Sequence, residues 1–206
     1  VFVVHKFTLS NGVRVLVEPN ENVMSAAIGL WCKSGSRHEH DNEAGITHFI
    51  EHLIFKGTEK VKANEMASRI ESLGGVVNAY TSYDNTVYHI IVPSRAFEEG
   101  FELLVDAVRN PAFPEEEIEK ERKVVLEEIK MGEDDPQRKL FKELFSTSYR
   151  EHPYGRPIIG YEDTVKSINR DEILNYFKKY YVPDNMAIVI AGDFDPKTAD
   201  ALLKKH

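Results

Sequence analysis

His48 and His52 stand four residues apart, and Glu51 directly precedes the second of them. On an α-helix, residues i and i+4 lie one above the other, so both imidazoles can aim a ring nitrogen at one point while Glu51 borders the same face. Two imidazoles aimed together are part of a zinc site. In hydrolytic centres zinc takes three protein ligands and keeps a fourth position for water, which the metal acidifies and a nearby carboxylate can deprotonate. The segment thus carries two candidate ligands and a candidate base. A chain with eight histidines could contain this spacing by accident. Its context argues otherwise: Gly45 stands where a helix would begin, and Ile46, Phe49, Ile50, Leu53 and Ile54 supply apolar positions at helical spacing. Gly57 is a plausible stop. Placing two histidines and a glutamate on such a partly buried helix would be costly without a purpose.

The elements that must position this helix read as an alternation of strands and helices. Val3 to Leu9 and Val13 to Val17 flank Asn11-Gly12, a strong hairpin signal. Ser25 to Lys33 predicts a buried strand, with Cys32 packed inside it. Ala63 to Leu73 predicts a helix that stops at Gly74-Gly75. Val76 to Val92 alternates as a long strand or a strand pair turning through Tyr83-Asp84-Asn85. Pro93 ends it, and Ser94 is expected to cap a helix running to about Arg109. A helical region from Glu115 to Arg150 follows, broken near Asp134-Asp135-Pro136. After a loop from His152 to Gly160 come a helix over Arg170 to Tyr181, a strand over Met186 to Ala191 and a last helix from Pro196. This order predicts an α+β fold, a predominantly antiparallel sheet packed against helices. With no Gly/Ser linker and no low-complexity stretch, residues 1–206 read as one domain.

A third ligand must come from outside the His-containing helix, and the acidic run from Glu115 to Glu128 is where to search. Most of its carboxylates belong to a solvated face. Glu121 and Glu128, two turns apart, share an inward stripe with Val125, whereas Glu127 lies about 100° around the helix beside Val124 and Met131. By pattern alone, Glu127 and Glu128 are equal candidates. His38, His40, His89 and His152 have no helical partner and are read as structural.

Composition removes whole classes of function. A net charge of −8, with no basic cluster interleaved with aromatics, argues against nucleic acid as a partner. The longest apolar runs fall far short of the roughly 20 residues of a membrane span. One cysteine excludes an internal disulfide and fits a reducing compartment. Val1 to Thr8 shows strand-like alternation in place of a signal sequence, and the expectation is a cytoplasmic protein.

Several motifs together carry a resemblance. Gly35-Ser36-Arg37-His38-Glu39, Gly45-Ile46-Thr47-His48-Phe49-Ile50-Glu51-His52-Leu53, Phe55-Lys56-Gly57-Thr58, Gly74-Gly75, Asn78-Ala79-Tyr80-Thr81, Pro153-Tyr154-Gly155-Arg156 and Pro183-Asp184-Asn185 follow one another along nearly the whole chain. In order and spacing they resemble the zinc-carrying domain of the inverted-zincin (HxxEH) peptidases, the family of pitrilysin, insulysin and the mitochondrial processing peptidase β subunit. The resemblance implies Zn2+ as cofactor, His48 and His52 as ligands, and as third ligand the glutamate 76 residues after the second histidine, which is Glu128. It implies that Glu121 orients a ligand histidine through the ring nitrogen that does not touch the metal. Glu51 becomes the general base of an endopeptidase acting on extended peptides or presequences. Asn78, Ala79, Tyr80 and Thr81 become an exposed sheet edge that pairs with the peptide.

Members of that family join two or more domains of this fold, and the second half supplies an arginine and a tyrosine to the substrate. No segment here matches those groups, so the resemblance implies a companion domain or subunit of the same fold. It also leaves a non-catalytic alternative, an assembly or substrate-recognition subunit. A lyase with HxxEH and a downstream cysteine ligand fits poorly, because Cys32 lies upstream.

Overall fold

The computed structural model describes residues 4–63 and 65–206. Six strands form one sheet in the order β1-β2-β6-β3-β5-β4, built from His5–Thr8, Arg14–Pro19, Ser25–Cys32, Val76–Thr81, Thr86–Pro93 and Met186–Gly192 as β1 to β6. Every neighbouring pair is antiparallel except β2 with β6. The α+β reading with a mainly antiparallel sheet therefore holds. The parallel pair was not anticipated, because it joins segments about 170 residues apart and leaves no local signal.

Eight α-helices accompany the sheet among the described residues. They are Ile46–Ile54, Glu65–Ser72, Phe97–Arg109, Glu115–Asp134, Pro136–Ser148, Glu162–Ser167, Arg170–Tyr180 and Pro196–Lys205, α1 to α8 in chain order. Alternation along the strands decides which face of the sheet they cover. Ala26, Ile28 and Leu30 of β3, with Tyr88, Ile90 and Val92 of β5, are buried and join Phe49, Ile50, Phe101 and Leu104 of the helices in one apolar cluster. Trp31, Tyr80 and Ile91 lie on the other, more open face.

The turns follow backbone chemistry. Gly12 adopts φ +98°, as the hairpin requires, and Gly74 adopts φ +84° at the end of α2. Val76 to Val92 is a strand pair reversing at 82–85, where Ser82 Oγ accepts from the amides of Asp84 and Asn85. Asp135 breaks the long helical region as expected, since its side chain accepts from the amides of Gln137 and Arg138 and so opens α5.

Two local expectations need correction, and one element had no expectation. Ser94 does not cap α3. Residues Ser94–Ala96 form a short 3-10 turn, and α3 begins at Phe97 behind Ala96, while the Ser94 amide is used by the Met24 carbonyl. Gly57 does not end α1, which stops at Ile54 behind Phe55; Gly57 instead takes φ +114° in the loop that follows. The six-residue α6 was unforeseen, being too short to show a period. Val3 and Asn64, assigned above to the first strand and the second helix, lie outside the described residues.

Candidate metal centre

Helix α1 forms where its sequence requires. Gly45 at its N-terminus holds φ +96°, a left-handed conformation that favours glycine, and a Cβ there would meet the Ile159 carbonyl at 2.5 Å. Ile46, Phe49, Ile50 and Leu53 are fully buried and fix the rotation of the helix. That rotation leaves His48, Glu51 and His52 half-buried on the other side.

Helix α4 runs past this face and brings up the third group. Its buried Ile118 and Val125 set its rotation. Glu128 Oε2 then lies 3.8 Å from His48 Nε2 and 3.6 Å from His52 Nε2. Tetrahedral zinc with ligands about 2.0–2.2 Å away holds its donors roughly 3.3–3.5 Å apart, so the two distances to Glu128 need only small adjustment, and all three donor atoms lie within 4.8 Å of one another. Two imidazoles and one carboxylate are also a donor set that zinc accepts in catalytic sites. Among the described residues, His48, His52 and Glu128 are the one such cluster of potential metal ligands. Glu127, equal to Glu128 by pattern, is exposed and paired with Lys130 at 2.7 Å.

Proton positions favour the same arrangement. Burial, and then the neighbouring His52, push His48 down to about 4, which leaves its imidazole neutral with a lone pair to donate. Burial also opposes a charge on His52, but the Glu128 and Glu121 carboxylates outweigh it and raise that ring. Hydrogen bonding to His52 holds Glu128 below the usual carboxylate range. Glu121 Oε2 sits 3.2 Å from His52 Nδ1, and its other oxygen meets Lys56 Nζ at 2.7 Å. Glu121 Oε2 there accepts from Nδ1–H and leaves Nε2 of His52 facing Glu128.

Glu51 lies beside these donors. Burial raises its carboxyl against the pull of the Thr81 hydroxyl, which donates to Oε2. Thr81 ends β4, the outermost strand on its side of the sheet, and among the described residues β4 pairs with β5 alone. One backbone edge of Asn78, Ala79, Tyr80 and Thr81 is therefore open. A cleft of about 650 Å³ begins at His48, Thr81 and Glu128 and continues past Ile129, Phe141, Phe145 and Ile158.

The sequence reading missed two groups here. Lys56, four residues after His52 and just beyond the end of α1, within a motif already noted, holds Glu121. Glu39 reaches α1 from six to eight residues upstream, in a relation that no helical or strand period reveals. His38, His40, His89 and His152 stand outside the cluster.

Comparison with known proteins gives the family. The profile of the insulinase family, peptidase family M16, matches residues 14–162, and that of the M16 inactive domain matches residues 167–206. An uncharacterized zinc protease of Bacillus subtilis is 41% identical over 92% of this chain and 46% of its own length. A probable mitochondrial-processing peptidase subunit beta of Arabidopsis thaliana is 38% identical, with 90% of this chain and 35% of that protein covered. The crystal structure of a protease from Helicobacter pylori superposes with a TM-score of 0.95 at 33% identity, covering all of this chain and 50% of that one. The periplasmic protease PqqL of Escherichia coli gives 0.89 at 29%, with 98% and 23% covered. The chain spans about half the length, or less, of the relatives it matches. Family match, fold and the cluster of His48, His52 and Glu128 lead to one conclusion: this chain belongs to the insulinase family of peptidases, M16.

Proposed function

We propose that this chain is the zinc-binding, catalytic half of a metalloendopeptidase that cleaves extended peptides or presequences. The observation that carries the reading is the convergence of His48, His52 and Glu128 on one point with Glu51 alongside. Zinc held by those three side chains would supply a Lewis acid that acidifies a water and polarises the scissile carbonyl. The remaining work falls to the protein. Glu51, its carboxyl raised by burial and oriented by Thr81, takes a proton from the attacking water and passes it to the leaving amine. Glu121 keeps the His52 proton on Nδ1 and frees Nε2. The open edge of β4 receives the peptide main chain through backbone hydrogen bonds, so recognition depends more on extended conformation than on sequence.

A second domain or subunit of the same fold completes the site by covering the substrate and stabilising the oxyanion. The twofold greater length of the relatives supports this part of the reading. The test is hydrolysis of a quenched extended peptide by wild type and Glu51→Gln, with zinc loaded and the candidate companion half present. Cleavage by wild type alone is expected. Cleavage unaffected by Glu51→Gln overturns the role of Glu51, and silence of both with stoichiometric zinc bound points instead to assembly or substrate recognition.

A further inference from the structure

The first turn of α1 is held from outside the helix. A helix N-terminus leaves its leading amides without intrahelical acceptors, and a Ser, Thr, Asp or Asn side chain usually caps them. Gly45 occupies the cap position of α1 and has no side chain. Glu39 supplies the acceptors instead, with Oε2 accepting from the Gly45 amide and Oε1 from the Thr47 amide, both at 2.9 Å. Glu39 is only 4% exposed.

Glu39 is fixed in turn. The Arg156 guanidinium donates to the Glu39 main-chain carbonyl at 2.6 Å and to the Ser36 carbonyl at 3.2 Å, and it pairs with Asp41 at 2.7 Å. Thr47 is also gripped through its hydroxyl, which meets Tyr176 of α7 at 2.9 Å, and Tyr176 meets Ser34 at 3.1 Å. Thr164 donates to the Ala44 carbonyl at 2.7 Å.

We propose that Glu39 is a positioning residue of the metal centre, setting His48 by anchoring the first turn of α1. The inference rests on the zinc reading above. His48 follows Thr47 directly and sits in that first turn, so slack at the Thr47 amide moves its Nε2 relative to Glu128. The other two groups of α1 lie further on: Glu51 is held by Thr81, and His52 is held by Glu121. Apart from Glu128, His48 has no side-chain partner among the described residues, and its Nδ1 is buried there without an acceptor. Its placement therefore depends on the backbone beneath it, and Glu39 holds that backbone. Stability is a poor explanation for the residue, because burial pushes its carboxyl up to about 7 and so opposes its ionisation in the fold. Departures from the cheapest local choice are expected where function requires them.

The experiment measures zinc affinity by competition with a chromophoric chelator, together with amide hydrogen exchange at Thr47 and His48 in the metal-free chain. Glu39→Ala is expected to weaken zinc binding roughly 10- to 100-fold, the range for residues that orient ligands. Glu39→Gln, which keeps one acceptor, should fall between Ala and wild type. Exchange at Thr47 and His48 should accelerate in the same order. Leu202→Ala in α8, which packs against α3 away from the site, is the control for general destabilisation and should leave zinc affinity unchanged. Should Glu39→Ala fail to fold, Glu39→Gln against the same control decides. Wild-type affinity in the Glu39 variants, or a loss no greater than the control shows, overturns the proposal while the zinc reading stands. A wild-type chain that binds no zinc removes the zinc reading itself, and this inference with it.

Discussion

Replacing Glu121 by glutamine keeps the shape of the side chain but removes its charge, and two consequences can be separated. In the native structure the carboxylate faces His52 Nδ1 at 3.2 Å and Lys56 Nζ at 2.7 Å. The amide oxygen of Glu121→Gln can still accept from His52, but without a negative charge to bias the ring it orients a ligand less firmly. Outer partners of metal-bound histidines are typically worth 10- to 100-fold in affinity, or about 1.4–2.7 kcal/mol. Lys56, with only 23% of its side chain exposed, would also lose its counter-ion. That loss should reduce folding stability by about 1–3 kcal/mol. Lys56→Met in the Glu121→Gln background removes the stranded cation, so it should recover much of the stability and none of the zinc affinity. Chelator competition reads the first quantity and urea unfolding of the metal-free chain the second. Zinc affinity within twofold of wild type in Glu121→Gln would refute the orienting role, and recovery of affinity by Lys56→Met would show that the effect was only structural.

Three further outcomes follow from the same contacts. Thr81→Val deletes the hydroxyl that donates to Glu51, so peptide hydrolysis should show kcat reduced several-fold with zinc affinity unchanged, and Thr81→Ser should restore it; a fall in zinc affinity would contradict this. Phe49→Ala empties a fully buried site over which the Arg122 guanidinium lies at 5.4 Å, and urea denaturation should register a loss of about 3–5 kcal/mol. The Glu39 carboxyl, raised by burial from 4.5 to about 7 against the pull of the Gly45 and Thr47 amides, keeps in the folded chain a proton that the unfolded chain has released. Its contribution to stability is therefore fully present below about pH 4.5 and is lost as the pH rises toward 7, by about 3 kcal/mol. Relative to Glu39→Gln, the unfolding free energy of wild type should fall by that amount across the window, and a pH-independent difference would count against it.

What the sequence disclosed depended on whether the signal was local. The turn at Gly12, the break at Asp134-Asp135-Pro136 and the buried stripe of α1 are set within a few residues, and each could be read in advance. Ser94 misled because a serine beside a helical pattern is a good cap only if the backbone leaves its strand directly into the helix; here a 3-10 turn intervenes. The two histidines and Glu51 were visible because one helix carries all three. Glu128 was not separable from Glu127 by periodicity, since the two straddle the border of the buried face. Resemblance to a family favoured Glu128, and the structure turns that carboxylate toward both histidines. Lys56 and Glu39 act on the site through other residues, and their contacts exist only once α4 and the loop before α1 have packed.

Zinc stoichiometry measured by titration, with wild type, Glu51→Gln and Glu128→Ala compared side by side, tests the metal centre most directly. One zinc per chain is expected for wild type and for Glu51→Gln, because Glu51 is a base and not a ligand, and binding should weaken by at least about 100-fold in Glu128→Ala. A wild-type chain without stoichiometric zinc, or a Glu128→Ala chain that holds it as tightly, would contradict the assignment.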